Sequence, residues 1–158
     1  YIYRKALEKK LVRGRSISAL IAATLYAACR ESGTPRTLND VSSAINITRK
    51  NLAICYRMII KELDLKMPVV DSVQCIARIA SQIGLSEKTK RNAIKLLKKA
   101  EQKQIISGKD PMGMAASALY LASLETGENT TKKTISLAAG VTEVTIRNRC
   151  KSLKFLDT

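Results

Sequence analysis

The chain of 158 residues contains no histidine, no tryptophan and a single phenylalanine. Without histidine a zinc site would have to be built from cysteine, yet Cys29, Cys55, Cys75 and Cys150 stand 26, 20 and 75 residues apart and form no C-x-x-C pair. They read as small buried hydrophobes in a reducing compartment, and neither a metal nor a cofactor is expected. Aromatic residues make up only 4%, so Ala, Ile and Leu must fill the core, as helix-on-helix packing prefers. No apolar run approaches the ~18 residues needed to span a bilayer, and no secretory signal precedes the first helix. A soluble intracellular protein is expected. Paired carboxylates, a Gly-rich phosphate loop and a nucleophile with its base are all missing, so the chain is not read as an enzyme.

Acidic residues are also scarce: 13 Asp and Glu face 28 Lys and Arg, leaving a formal charge of +15. Such a bias repels itself in the folded state and usually accompanies a polyanionic partner. Residues 1–70 hold 13 basic and 5 acidic side chains, and residues 71–158 hold 15 and 8. Both halves are basic, which excludes a charged tail on a neutral body.

What the chain does have is an internal repeat. The stretch 14–48 recurs as 108–142 at an offset of 94, with Gly14, Ala22, Leu25, Tyr26, Ala28, Glu31, Gly33, Thr37, Ala44 and Thr48 facing identical residues. That period is too long for a solenoid and indicates two copies of one small domain. The copies are taken as residues 1–66 and 67–158, joined near Pro68, which cannot continue a helix.

Helical periodicity dominates, and no stretch alternates like a strand. Ile17, Leu20, Ile21, Thr24, Leu25 and Ala28 follow one helical face, with Ala22, Ala23 and Ala27 on the others, so this helix should be surrounded by neighbours. Its copy begins at Asp110 and Pro111, an N-cap followed by proline at the first helical position. A capping box from Thr37 to Asp40 opens a short helix, and Thr48 starts the next, over about 48–63. In the second copy Asp71 caps one helix, Ser86 opens a long one to about Ile106, and Thr142 starts the last, to about 155. The long helix carries Lys88, Arg91, Lys95 and Lys98 on its outer side. Symmetry leaves the first copy about 24 residues short at its start, so it is read as truncated at its N-terminus, with its core expected to be partly open.

The segment 137–149 has the form of a helix-turn-helix: small residues end one helix, Gly140 turns, Val141 plugs the angle and Thr142 caps the next. Its second helix begins with Val144, Thr145, Arg147, Asn148 and Arg149, residues suited to base edges and phosphates in a major groove. Lys132 and Lys133 precede it as candidate phosphate contacts.

Gly14-Arg-Ser16 leading into Ala22-Ala-Thr-Leu-Tyr-Ala-Ala-Cys-Arg30, with Ala138-Ala-Gly-Val-Thr-Glu-Val-Thr-Ile-Arg147, resembles the C-terminal core of the archaeal transcription factor B and eukaryotic transcription factor IIB family. The likeness runs in order over nearly the whole chain. It implies an all-α fold of two tandem five-helix cyclin-like repeats and a general initiation factor that binds the TATA-binding protein on promoter double-stranded DNA. It further implies that Val144 and Arg147 read bases upstream of the TATA box, while the helix-turn-helix itself offers Lys132, Lys133, Thr142, Thr145, Arg149 and Lys151 as candidates for the DNA backbone.

In the family the first repeat is expected to contact DNA downstream through its last helix. Here Ala53 and Ile54 replace a Gly-Arg pair, leaving Arg49, Lys50 and Arg57 as the candidates for DNA or the TATA-binding protein. RNA polymerase would be engaged only through a segment outside this chain. The resemblance places a monomer in the archaeal cytoplasm with the nucleoid, or in a eukaryotic nucleus. The competing reading from the residues is a cyclin-type module that binds protein and uses no DNA.

Overall fold

The computed structural model describes residues 1–157, which form nine α-helices, a closing 3-10 turn and no strand. The helices are α1 (Ile2–Glu8), α2 (Ile17–Glu31), α3 (Leu38–Ile45), α4 (Arg49–Glu62), α5 (Ser72–Ile83), α6 (Glu87–Gln102), α7 (Pro111–Glu125), α8 (Lys132–Ala139) and α9 (Glu143–Lys154). They divide into two compact units, residues 1–70 and the chain from Asp71 onward. The fold is all-α and repeated in tandem.

Every helix after α1 starts at a short polar side chain that takes one of the unpaired amide protons of the first turn. Thr37 and Asp40 complete the expected capping box, with N–H to Oγ1 at 3.1 Å and N–H to Oδ2 at 2.8 Å. Asp110 accepts the Gly113 amide at 2.9 Å, with Pro111 behind it. The long helix α6 stops at Gln102, short of the expected Ile106, because Gln104 turns left-handed at φ 57° and the Ile105 amide bonds back to the Ala100 carbonyl at 2.9 Å. Lys10, 94 positions earlier, does the same at φ 57°, with the Leu11 amide on the Ala6 carbonyl. Thus α1 occupies the register of the last turns of α6, and the repeat extends ahead of Gly14.

In the second unit α7 is the central helix, packed by α5, α6, α8 and α9. Met114, Ala115, Ala118, Leu119 and Ala122 lie in its core, and apart from Tyr120 only the helix ends reach solvent. Burial on nearly every side of such a helix is what its Ala-rich composition permits. In the first unit α2 packs on α1, α3 and α4. Its Leu20, Ala22, Ala23 and Ala27 are buried, but Ile17, Ile21 and Leu25 are 57%, 43% and 46% exposed. This matches the expectation of a partly open first core, although the Ala-rich composition of α2 alone suggests a helix surrounded on all sides. The counterparts of Ile21 and Leu25 are Ala115 and Leu119, which are fully buried in a unit where α5 packs on α7. In the first unit α2 has no described helix in the place α5 takes on α7.

A candidate nucleic-acid interface on the helix-turn-helix

Helices α8 and α9 meet at Gly140, which sits left-handed at φ 67°, ψ 29° and returns its amide to the Ser136 carbonyl at 2.9 Å. A side chain there would be strained, which is why the turn carries glycine. Thr142 then caps α9, accepting the Thr145 amide at 3.1 Å while the two threonine hydroxyls lie 2.9 Å apart.

The helix is held from behind by α7. Ile146, Cys150 and Leu153 are buried, and the Ser117 hydroxyl bonds both the Gly113 carbonyl at 2.8 Å and the Ile146 carbonyl at 3.2 Å. Burial pushes the Cys150 thiol up from its ordinary value, so it stays protonated and donates to the Ser117 carbonyl at 3.8 Å. Gly113 lets α9 approach closely: a Cβ there would stand 3.1 Å from the Thr145 methyl.

With that face fixed, Val144, Arg147, Asn148 and Lys151 project from the other side, at i, i+3, i+4 and i+7. All four are exposed, Val144 at 56%. Two of the side chains expected on this face do not join them. Thr145 turns its methyl to Gly113 and its hydroxyl to the cap. Arg149 sits on the flank, half-buried, with its Nε enclosed and without a hydrogen-bond partner. Asn148, grouped with Val144 and Arg147 by the sequence, is the fourth member of the exposed face, as its i+4 spacing from Val144 requires.

On α8, Lys133 is exposed, whereas Lys132 is half-buried with Nζ 5.2 Å from the centre of the Tyr120 ring. That ring anchors the Lys132 stem, leaving Lys133 as the freer cation of the pair.

The first unit repeats the geometry with different chemistry. Asn46 takes the left-handed turn position at φ 55°, and Thr48 caps α4 at 3.2 Å. Lys50, Ala53, Ile54 and Arg57 occupy the positions, 94 residues earlier, of Val144, Arg147, Asn148 and Lys151. Lys50, Ile54, Arg57 and the neighbouring Arg49 are exposed. A residue with no signal in the sequence pattern also lies here: the Arg15 guanidinium is near enough to oppose the effect of burial on the Cys55 thiol. The Arg15 guanidinium itself is held by the Leu11 carbonyl at 3.1 Å.

Fold and site together define an all-α protein of two cyclin-like repeats, the second ending in a helix-turn-helix with a basic, partly apolar outer face. The family profile described as "Transcription factor TFIIB repeat" matches residues 1–62 and again 65–155. The chain belongs to the transcription factor IIB family. It is 51% identical to a transcription initiation factor IIB of Pyrodictium occultum over 96% of its own length and 49% of that protein's. It is 51% identical to one of Pyrobaculum islandicum, covering 96% and 46%, and 48% identical to one of Archaeoglobus fulgidus, covering 96% and 47%. The chain spans about half the length of these curated relatives.

Proposed function

We propose that this chain is the promoter-recognition core of a general transcription initiation factor, binding a TATA-binding protein on promoter DNA and reading the sequence upstream of the TATA box with α9. The observation that carries this reading is the single exposed face of Val144, Arg147, Asn148 and Lys151 on a helix fixed by α7. Arg147 has the geometry to pair with guanine O6 and N7, Asn148 with adenine, and Val144 to meet a thymine methyl. Lys133, Lys151 and the Thr142 cap of α9 face phosphate in this docking, with Arg149 at their flank, while Lys132 and Thr145 are held against α7 and the cap.

The two repeats, 1–66 and 67–158, then act unequally. Ala53 and Ile54 give the α4 face no donor to bases. In its place Arg49, Lys50, Arg57 and Arg15 supply a sequence-blind contact to DNA or to the TATA-binding protein. The relatives' shared name, transcription initiation factor IIB, supports the same reading.

A mobility-shift titration on a TATA duplex tests it. The chain should supershift the duplex loaded with TATA-binding protein, and log K should fall with log salt at a slope of about −5 if some six phosphates are neutralised. A folded chain that leaves the loaded duplex unshifted would remove the proposal.

A further inference from the structure

On α6 Lys88, Arg91, Lys95 and Lys98 are all exposed, opposite the buried Thr89, Ala93, Leu97 and Ala100. At about 1.5 Å per residue they form a straight row roughly 15 Å long. Like charges three and four residues apart destabilise a helix, so a face meant only for solubility would interleave acids. Here acids are few: Glu87 bonds Lys90 at 2.9 Å and also feels the Arg91 charge, while Lys88, Lys95 and Lys98 make no hydrogen bond or ion pair with any described residue.

The row begins far from the first turns of the recognition helix. One end of α7 touches α9, where Gly113 meets Thr145, and the other end touches the start of α6, where the Thr126 and Thr89 hydroxyls lie 2.7 Å apart. The 15 residues of α7 separate those ends by about 22 Å. DNA seated on the first turns of α9 leaves Lys88 and Arg91 at the far end of the unit. Beside the row runs a shallow groove lined by Asn92, Lys95, Leu96, Lys99 and Glu125. Leu96 and the lysine stems make it partly apolar, and the Glu125 carboxylate repels phosphate while leaving room for an apolar side chain.

We infer that this outer face of α6 docks an acidic segment of a protein partner, its carboxylates along the lysine row and one apolar side chain in the Leu96 groove. Charge complementarity to Lys88, Lys95 and Lys98, which have no internal partner, an apolar seat flanked by cations, and the distance of the start of the row from the first turns of α9 favour a protein segment over nucleic acid.

The probe is a synthetic helical peptide with carboxylates at i, i+3, i+7 and i+10 and one leucine, followed by fluorescence anisotropy on the full chain. Lys95→Glu with Lys98→Glu should weaken binding about tenfold, as for two reversed and partly desolvated ion pairs. The milder Lys95→Gln with Lys98→Gln should weaken it less, and Leu96→Ala should also weaken it. Lys50→Glu with Arg57→Glu, on α4, should leave it unchanged. Equal losses from the α4 and α6 variants would mean attraction to net charge alone and would overturn the inference. It is equally overturned if Lys95→Gln with Lys98→Gln lowers the salt slope for promoter DNA, by about 0.9 for each phosphate no longer neutralised. Failure of the wild-type chain to bind DNA would remove the proposed function and leave this peptide result standing.

Discussion

Leu25 and Leu119 are the same residue at the same place in two copies of one helix, yet Leu119 is fully buried and Leu25 is 46% exposed. Truncating each to alanine measures what the surroundings contribute. Leu119→Ala removes a core side chain between packed helices, where loss of transfer energy plus the residual cavity costs about 3 kcal/mol, within the usual range of about 2 to 5. Leu25→Ala leaves no cavity, since water already reaches the site. With half of a burial term of about 2 kcal/mol in play, its cost should be about 1 kcal/mol. Urea unfolding of both variants, followed by helical circular dichroism, gives the two shifts in midpoint. The second unit should lose about three times as much stability as the first. Equal losses would refute the claim that the α2 face is open where α7 is covered by α5. Losses in the reverse order would do the same.

Three further outcomes follow from the same structure. The Glu128 carboxylate accepts the Thr89 hydroxyl, the Ser86 amide at 3.0 Å and the Ser86 hydroxyl at 3.2 Å, capping α6 from a distant loop. The Thr89 bond first, and the Ser86 bonds after it, hold the Glu128 pKa below its ordinary value. Its stabilising effect is therefore complete above the unfolded glutamate value of about 4.3 and is lost as pH falls through the lower folded value. Acid unfolding of Glu128→Gln, compared with wild type, should show a flatter dependence over that window. Thiol labelling of the folded chain should modify Cys29, which is half-buried, well before Cys55, Cys75 and Cys150. Burial, with the Asp110 charge adding to it, pushes Cys75 up to about 11, so little thiolate is present at neutral pH, and mass spectrometry of the labelled peptides gives the order. Asn46→Ala should cost about 1 kcal/mol, since only a few residues besides glycine tolerate the left-handed turn, and thermal unfolding would show it.

Much of this architecture is legible in the sequence because its signals are local. Caps such as Thr37, Thr48, Ser86 and Thr142 depend on one side chain and the amides just after it, and the helices start where those residues stand. Gly140 marks its turn for the same reason. The end of α6 is not legible, because Gln104 carries no glycine signal for a left-handed residue. For the open face of α2 composition is silent, since it tells only that a helix can be surrounded, and the signal is instead the unequal length of the two copies. At the site, the spacing that groups Val144, Arg147, Asn148 and Lys151 and sets Arg149 on the flank is readable, but the burial of the Arg149 Nε depends on the packing around α9. The nearness of the Arg15 charge to Cys55 depends on tertiary structure and has no signal in the sequence.

Reading of bases by α9 is the centre of the account. Competition mobility shifts on duplexes varied upstream of the TATA box, run with Arg147→Ala and Lys133→Ala, test it most directly. Arg147→Ala should lose about 1 to 3 kcal/mol on the preferred sequence and little on variants altered at the contacted base, flattening the preference. Lys133→Ala should weaken all duplexes alike and reduce the salt slope by about 0.9. Contradiction would come from an Arg147→Ala chain that keeps the full sequence preference of the wild type.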